Sequence, residues 1–271
     1  MKIIVISDFH GTKEVMAPLN SLIDNESPDI VVFCGDIVKG HARGNEWLSS
    51  KKYNREPDKE KVETRKLFQR NQRKVFECRE SHTFPTIKNE EEEDLMLYDY
   101  FYKNIRKDAP VLVVPGNMDA PEGRYFSTLP NMKNIYSLHE QMFFKDKYVF
   151  AGFGGEITEK EQENFFVLRY PKEKVKSIID KVKQIEKEKI LIFHSPPVSK
   201  VGIEGDVVVG SNAVNEIIYE LKPKLLFCGH AHKAAGTDIV KNTLCVNPGP
   251  LKDRNAAVVD SESLNVRFVK L

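Results

Sequence analysis

The chain has 271 residues, of which 41% are hydrophobic and 30% charged, and its formal net charge is +1. This length can bury a sizeable core without disulfides or structural metals, and the near-neutral charge argues against a general polyanion-binding protein. No apolar run approaches the ~20 residues of a membrane helix, and the N-terminus lacks a signal-peptide pattern, so we expect a cytoplasmic protein without a membrane partner.

Short apolar runs rich in β-branched residues alternate with helical patterns along the chain. The predicted strands are Lys2–Ser7, Ile30–Cys34, Val111–Val114, Tyr148–Ala151, Ile190–Phe193, Leu225–Cys228, Thr243–Val246, Ala256–Val259 and Asn265–Val269. The predicted helices, each between two strands, are Lys13–Asp24, Lys172–Glu188 and Ala213–Leu221. This alternation is typical of an α/β protein, and the early strands are apolar throughout, as expected when both of their faces are covered. The last three strands alternate more, which predicts antiparallel pairing.

Residues 41–108 interrupt this alternation. Their last part, Glu90–Lys107, opens acidic and closes basic, which suits a helix dipole, and its aromatic residues form an apolar stripe. We therefore expect a single domain over residues 1–271 that carries residues 41–108 as a helical insertion. The insertion either extends the core packing or caps the substrate site.

Five predicted strands end in side chains that can bind a metal. In an open α/β sheet, ligands bind beyond the carboxyl ends of the strands, so these side chains are expected to converge on one crevice. Three oxygen ligands and four imidazoles suit a pair of divalent cations such as manganese, iron, nickel or zinc. The seven candidate ligands are Asp8, His10, Asp36, Asn117, His194, His230 and His232.

The ordered blocks that hold these residues are DFH, GD, GN, H and GHAH. In this order they resemble the calcineurin-like metallophosphoesterase superfamily, and the pieces HSPP, FGGE and NPGP resemble its small prokaryotic members. The resemblance implies a four-layer α/β/β/α sandwich with two central mixed β-sheets and a dinuclear metal centre.

The resemblance also implies a role for each matching residue. Asp8, His10 and His232 would hold the first cation, and Asn117, His194 and His230 the second, while Asp36 would bridge both. The residues expected to take part in catalysis are Asp36, Asn117, His194 and Asp119. The implied function is a phosphohydrolase, with phosphodiesters preferred, in which a hydroxide held between two metals ~3.5–4 Å apart attacks phosphorus in line.

Met118 departs from the family block Gly-Asn-His-Asp/Glu. The family histidine is thought to protonate the leaving group or to help bind phosphate, and a thioether cannot donate a proton. Three interpretations remain open: slow turnover limited to good leaving groups, another acid such as His41, or loss of activity. We favour a working enzyme because all seven metal positions are present.

Basic residues follow Asp36 in the segment IVKGHARGN. Lys39, His41 and Arg43 could contact the phosphate of a small phosphorylated substrate such as a nucleotide, or could form a solvated basic loop. The main alternative function is a binding or scaffold protein that keeps the fold with weak catalysis. A DNA-repair nuclease is a third possibility, but the neutral charge and the lack of a basic tract argue against a nucleic-acid partner.

Overall fold

The computed structural model describes residues 1–38, 88–119, 133–159 and 168–271, with the backbone alone for residues 88–93. The chain divides into two compact units, Met1–Gly40 with Asp94–Leu271, and His41–Glu93. All seven candidate metal ligands lie in the first unit. The division falls between residues 93 and 94, whereas the predicted insertion extends to residue 108, so the extent of the insertion stays a prediction. Lys39, His41 and Arg43 lie outside the described residues.

In the described ranges, the α-helices are α1 Met16–Glu26, α2 Lys88–Asn104, α3 Lys172–Lys183 and α4 Asn212–Leu221. The strands are β1 Lys2–Ile6, β2 Ile30–Phe33, β3 Val111–Val113, β4 Ile135–Ser137, β5 Met142–Lys145, β6 Tyr148–Phe153, β7 Glu156–Thr158, β8 Arg169–Pro171, β9 Glu188–Phe193, β10 Ile203–Glu204, β11 Val207–Val208, β12 Leu225–Phe227, β13 Gly236–Val240, β14 Thr243–Asn247, β15 Asn255–Asp260 and β16 Val266–Lys270. Short 3₁₀ helices cover Lys13–Val15, Lys200–Gly202 and Leu251–Asp253.

Two six-stranded mixed sheets form the centre of the unit. The first has the order β16-β15-β1-β2-β3-β4, and the second has the order β13-β14-β12-β9-β6-β5. Strands β1 to β4 run parallel, and β6, β9, β12 and β14 run parallel in the second sheet. Of the three strands predicted to be antiparallel, β15 and β16 are so, while β14 is antiparallel to β13 and parallel to β12.

Alternate residues of the central strands enter different layers of the core. In β1, Ile3 and Val5 belong to the cluster between the sheets, whereas Ile4 and Ile6 pack among residues of α1 and α2. In β9, Ile192 faces the first sheet and Leu191 packs among residues of α3 and α4. Both faces are therefore covered, which explains the continuous apolar runs and confirms the predicted α/β fold with two mixed sheets.

The second half of α2 packs in this core. Tyr98, Phe101, Tyr102 and Ile105 are all buried in the cluster that covers the outer face of the first sheet. The spacing of Tyr98, Phe101 and Tyr102 places them on one face of the helix, as the aromatic stripe predicts, and Ile105 follows directly after the helix. Fully burying side chains of this size stabilises a fold by roughly 1.5–3 kcal/mol each. Residues 94–105 thus contribute to the core of the first unit.

Among the described helices, none has both the length and the apolar character that crossing a membrane requires.

Candidate metal centre

The carboxyl ends of strands from both sheets meet at one site. β1 and β2 end at one edge of the first sheet, and β9 and β12 end at one edge of the second. The backbone N–H of His230, after β12, donates to Oδ2 of Asp8 at 3.2 Å. Nδ1 of His194, after β9, lies 2.7 Å from the carbonyl oxygen of Cys34, after β2. Two hydrogen bonds therefore join the sheets where the candidate ligands lie.

Asp8, His10 and His232 form the first cluster. Oδ1 of Asp8 lies 3.1 Å from Nε2 of His232 and 3.7 Å from Nε2 of His10. The two Nε2 atoms are 3.3 Å apart. One atom of each residue lies within 4.8 Å of the others, close enough to share a cation. These are the three residues predicted for the first metal ion.

The residues predicted for the second metal ion are also in contact. Oδ1 of Asn117 lies 2.8 Å from Nε2 of His194 and 3.1 Å from Nδ1 of His230. Oδ2 of Asp36 is 3.5 Å from Nε2 of His194 and 3.7 Å from Nε2 of His10. Asp36 therefore lies between a member of each predicted trio. Asp8, Asp36 and His194 form a second group that could hold a cation, with Asp8 common to both groups.

Backbone carbonyls orient two of the imidazoles. Nδ1 of His10 lies 3.1 Å from the Val38 carbonyl oxygen, and Nδ1 of His194 lies 2.7 Å from the Cys34 carbonyl oxygen. Because a carbonyl only accepts, the ring proton of each histidine is on Nδ1, and Nε2 presents its lone pair to the cluster. A second hydrogen bond of this kind is the usual support of a metal-binding histidine.

Four candidate ligands have left-handed backbone conformations. The φ angles of Asp8, His10, Asp36 and His230 are 57°, 46°, 65° and 69°. This region costs a non-glycine residue roughly 1–2 kcal/mol, and such strain tends to concentrate at functional sites. Hydrogen bonds from Asp8 N to the Gly35 carbonyl oxygen (2.8 Å) and from His10 N to the Asp36 carbonyl oxygen (3.1 Å) hold the first two turns together.

The ionisation states suit a cation. Burial opposes ionisation of Asp8, but the hydrogen bond from His232 and the nearby imidazoles hold the pKa of this carboxyl below its usual range. Burial lowers the pKa of His230 to about 4, and it also lowers the pKa of His10 and of His194. Near pH 7 the carboxylate is therefore charged and these imidazoles are neutral, which are the forms that bind metals.

Asp119 is fully buried beside the centre, and backbone donors surround its carboxylate. Oδ2 accepts from the N–H of Asp36 at 2.9 Å and of Gly116 at 2.6 Å. Oδ1 accepts from the N–H of Ile37 at 3.0 Å and from the Tyr98 hydroxyl at 3.0 Å. Asp119 thus fixes the turn that carries Asp36.

Met118 acts on the centre through its backbone. Its N–H donates to Oδ1 of Asp36 at 2.7 Å, which leaves Oδ2 to face the imidazoles. A Cβ atom on Gly116, two residues earlier, would overlap Oδ1 of Asp36, so the turn needs a glycine there. The Met118 thioether itself offers no proton to a ligand.

The family model described as metallophosphoesterase, calcineurin superfamily, matches residues 1–77 and 66–271, which together span the chain. The chain belongs to this metallophosphoesterase family. The predicted superfamily is therefore confirmed, whereas the meaning of Met118 stays an interpretation of the sequence.

The chain is similar to one uncharacterized protein and to several solved structures. The uncharacterized protein MJ1162 of Methanocaldococcus jannaschii is 31% identical over 158 residues, which cover 52% of this chain and 64% of that protein. One crystal structure is 28% identical, with a TM-score of 0.78, and covers 99% of this chain and 98% of its own. The crystal structure of TT1561 of Thermus thermophilus is 17% identical with a TM-score of 0.68, covering 99% and 98%. A dimetal phosphatase from Danio rerio is 11% identical with a TM-score of 0.54, covering 95% and 91%. The last two show a shared fold.

The residues of this metallophosphoesterase fit divalent cations. Two carboxylates, one amide oxygen and four imidazoles converge, and the ring nitrogens of His10 and His232 approach one oxygen of Asp8. Such a set of oxygen and imidazole donors is suited to divalent metal ions. Family membership and these two clusters together support divalent metal binding.

Sequence patterns missed several groups that contact the candidate ligands of this metallophosphoesterase. Lys252 lies with Nζ 3.1 Å from Nδ1 of His232, and the Cys34 and Val38 carbonyls orient two imidazoles. A single lysine and two backbone carbonyl groups do not form a sequence motif that could be recognised. Only the position of Lys252 shortly after the NPGP piece could have drawn attention to it.

Proposed function

We propose that this metallophosphoesterase is a hydrolase of small phosphate esters, with phosphodiesters preferred, and that it uses two divalent cations. The observation that carries the proposal is the convergence of the predicted ligands from both sheets in the ionisation states that bind metals. Asp8, His10 and His232 would hold one cation, and Asn117, His194 and His230 the other. Asp36 would bridge them.

In the proposed hydrolysis, residues of the chain would balance the charge of the cations and hold the metal ligands in position. When bound, divalent cations act as Lewis acids toward phosphoryl oxygens and lower the pKa of water, so that a hydroxide nucleophile is available near neutral pH. The carboxylates of Asp8 and Asp36 offset part of the cationic charge. The fixed imidazole of His194 and the Met118 N–H, which holds Asp36, keep the ligands in place before substrate arrives.

Neither His194, His230 nor Met118 can act as a general acid toward the leaving oxygen near pH 7. Burial keeps the pKa of His230 at about 4 and lowers that of His194, so neither is protonated near pH 7, and Met118 has no proton to give. The site therefore favours esters whose leaving oxygen departs almost unaided. His41, the acid expected from the sequence, lies outside the described residues, as do Lys39 and Arg43, which we propose as phosphate contacts.

Replacing Met118 with histidine tests this proposal. General acid help is typically worth 10²–10⁴-fold and matters most for a poor leaving group such as an alkoxide. Met118→His should therefore speed hydrolysis of alkyl phosphodiesters much more than that of bis-p-nitrophenyl phosphate. Met96→His is a matched control, because Met96 is exposed on α2 and the change adds the same imidazole away from the centre.

Two outcomes would count against parts of this account. If Met118→His changes both substrate types equally, or neither, proton transfer to the leaving group does not set the preference. If the protein binds two cations but hydrolyses neither diesters nor monoesters, the scaffold alternative holds, and the missing histidine at Met118 explains it.

A further inference from the structure

The backbone at Leu251 and Lys252 is hydrogen-bonded to the segment after β1 that carries Asp8. Leu251 N donates to the Ser7 carbonyl oxygen at 2.7 Å, and Lys252 N donates to the Asp8 carbonyl oxygen at 3.1 Å. An isolated bridge also joins Ser7 to Pro250. The 3₁₀ turn Leu251–Asp253 therefore holds Lys252 at a fixed place beside the metal centre.

The ammonium of Lys252 has no negative partner in the parts of the chain that the structure describes. Nζ lies 3.1 Å from Nδ1 of His232, and the side chain is half-buried, yet it forms no ion pair with a described carboxylate. A partly buried cation is costly unless an anion or strong acceptors surround it. Among the described residues, the ammonium therefore contacts a neutral ring nitrogen and no carboxylate, so it is available to an anionic ligand.

The contact between Lys252 and His232 fits only one tautomer of the ring. An ammonium can only donate, so Nδ1 accepts and the ring proton is on Nε2, which in turn donates to Oδ1 of Asp8 at 3.1 Å. If Nε2 held a cation instead, the ring proton would be on Nδ1, and the ring could no longer accept from the lysine. The ammonium would then need another acceptor.

We propose that Lys252 binds a non-bridging oxygen of the substrate phosphate, an inference that rests on the proposed function. Phosphate oxygens are strong anionic acceptors, and lysine serves as a point charge for them in many phosphate sites. The contact would supply the phosphate-binding charge that the thioether of Met118 lacks.

The experiment compares phosphate binding by full-length variants loaded with manganese. Calorimetry with inorganic phosphate should show that Lys252→Met weakens binding on the order of ten- to a hundredfold. The stoichiometry of bound manganese should not change. Lys241→Met is the control, since this exposed lysine stacks 5.1 Å from the Tyr219 ring, in the turn before β14 and away from the metal centre. Lys252→Arg, which keeps the charge, should keep much of the affinity.

A kinetic measurement adds a second readout. With bis-p-nitrophenyl phosphate, Lys252→Met should raise KM by more than it lowers kcat, because a non-bridging oxygen is held in the bound substrate as well as in the transition state. A fall in kcat alone, with KM unchanged, would contradict a substrate-binding role.

Three other results would overturn the assignment of Lys252, and one of them would also overturn the proposed function. Equal phosphate affinity in wild type and Lys252→Met would overturn the assignment of Lys252 and leave the proposed hydrolase intact. Loss of manganese from Lys252→Met would make the lysine a support of the metal site, which also overturns the proposal. Absence of phosphate binding by the manganese-loaded wild type would overturn the proposed function together with this inference.

Discussion

The carboxylate of Asp119 joins parts of the chain that are distant in sequence. It accepts hydrogen bonds from the turn at Asp36, from Gly116 and from the hydroxyl of Tyr98 on α2. Each hydrogen bond to a charged group contributes roughly 1.5–3 kcal/mol. The backbone N–H groups that it satisfies belong to the segments that carry Asp36 and Asn117, so Asp119 positions two candidate ligands.

Asp119→Asn should therefore weaken both the fold and the metal centre. The amide keeps the shape but turns an NH₂ group toward backbone N–H donors, which should lower the free energy of unfolding by roughly 2–4 kcal/mol. The manganese affinity of Asp119→Asn, measured by calorimetry, should also be lower than that of the wild type. Tyr98→Phe removes a single donor to the same carboxylate and should cost about 1.5 kcal/mol. Unchanged stability and manganese affinity in Asp119→Asn would contradict the positioning role.

The lowered histidine pKa values predict that the free energy of unfolding of the metal-free protein decreases in acid. The pKa of His230 is about 4 in the fold, and an unperturbed histidine titrates near 6.5. Between these values the unfolded chain binds a proton that the folded chain does not, so stability falls as pH decreases from about 6.5 to 4. His10 and His194 act in the same direction because burial also lowers their pKa values.

Urea unfolding of the metal-free protein at pH 7, 6 and 5 measures this loss. His230 alone should contribute on the order of 2 kcal/mol. The pH dependence should be smaller in His230→Gln, since glutamine does not titrate. A wild-type free energy of unfolding that stays constant from pH 7 to pH 5 would show that these imidazoles are not held neutral.

The turns after the strands position the candidate ligands, and Gly116 is closely packed in the turn after β3. A Cβ atom there would meet Oδ1 and the backbone nitrogen of Asp36. Gly116→Ala should therefore displace Asp36, lower the free energy of unfolding by at least about 2 kcal/mol and reduce manganese affinity.

Gly205→Ala provides the matched control for Gly116→Ala. Gly205 lies in the turn between β10 and β11, where a Cβ would meet nothing within 4 Å, although its φ of 61° is left-handed. The change should cost about 1–2 kcal/mol and leave metal binding unchanged. If both variants affect manganese affinity equally, close packing at Gly116 does not shape the centre.

The central strands and the candidate ligands could be predicted because both have local signals. β1, β2 and β9 are apolar on both faces, and a metal-binding side chain follows each of them closely. The edge strands β4 and β13 were missed because they are short or half-exposed and lack an apolar run. Helix α3 ends at Lys183, five residues before the predicted end, because residues beyond it lead into β9.

The supporting contacts of the site could not be predicted, because they join residues far apart in the chain. Asp119 meets Asp36 across 83 positions, and Lys252 contacts His232 through a turn whose path depends on the pairing of β15 with β1. The packing of α2 onto the first sheet likewise follows from tertiary contacts, although its aromatic stripe was visible in the sequence.

The two parts of the predicted insertion, residues 41–87 and 88–108, should tolerate deletion differently. Residues 94–105 belong to the core of the first unit, and Tyr98 contacts Asp119. Replacing residues 41–87 with a short flexible linker should leave a folded protein that binds manganese. Replacing residues 41–108 should abolish folding, because several buried aromatic side chains are lost.

The shorter deletion also tests whether the insertion selects substrate. If residues 41–87 contact the substrate, the deletion should change relative rates across a panel of nucleotides, cyclic nucleotides and phosphorylated metabolites more than it changes metal affinity. Identical relative rates would show that the segment does not determine specificity.

Metal dependence of hydrolysis tests the central claim most directly. The protein should be stripped with a chelator, titrated with manganese, and assayed for both bound metal and turnover of bis-p-nitrophenyl phosphate. We predict that activity is absent without metal and rises as two ions bind. Asp36→Asn should lose both the paired binding and the activity, because a neutral amide cannot offset the charge of two cations. Hydrolysis by the metal-free protein, or full activity of Asp36→Asn with two ions bound, would contradict the account.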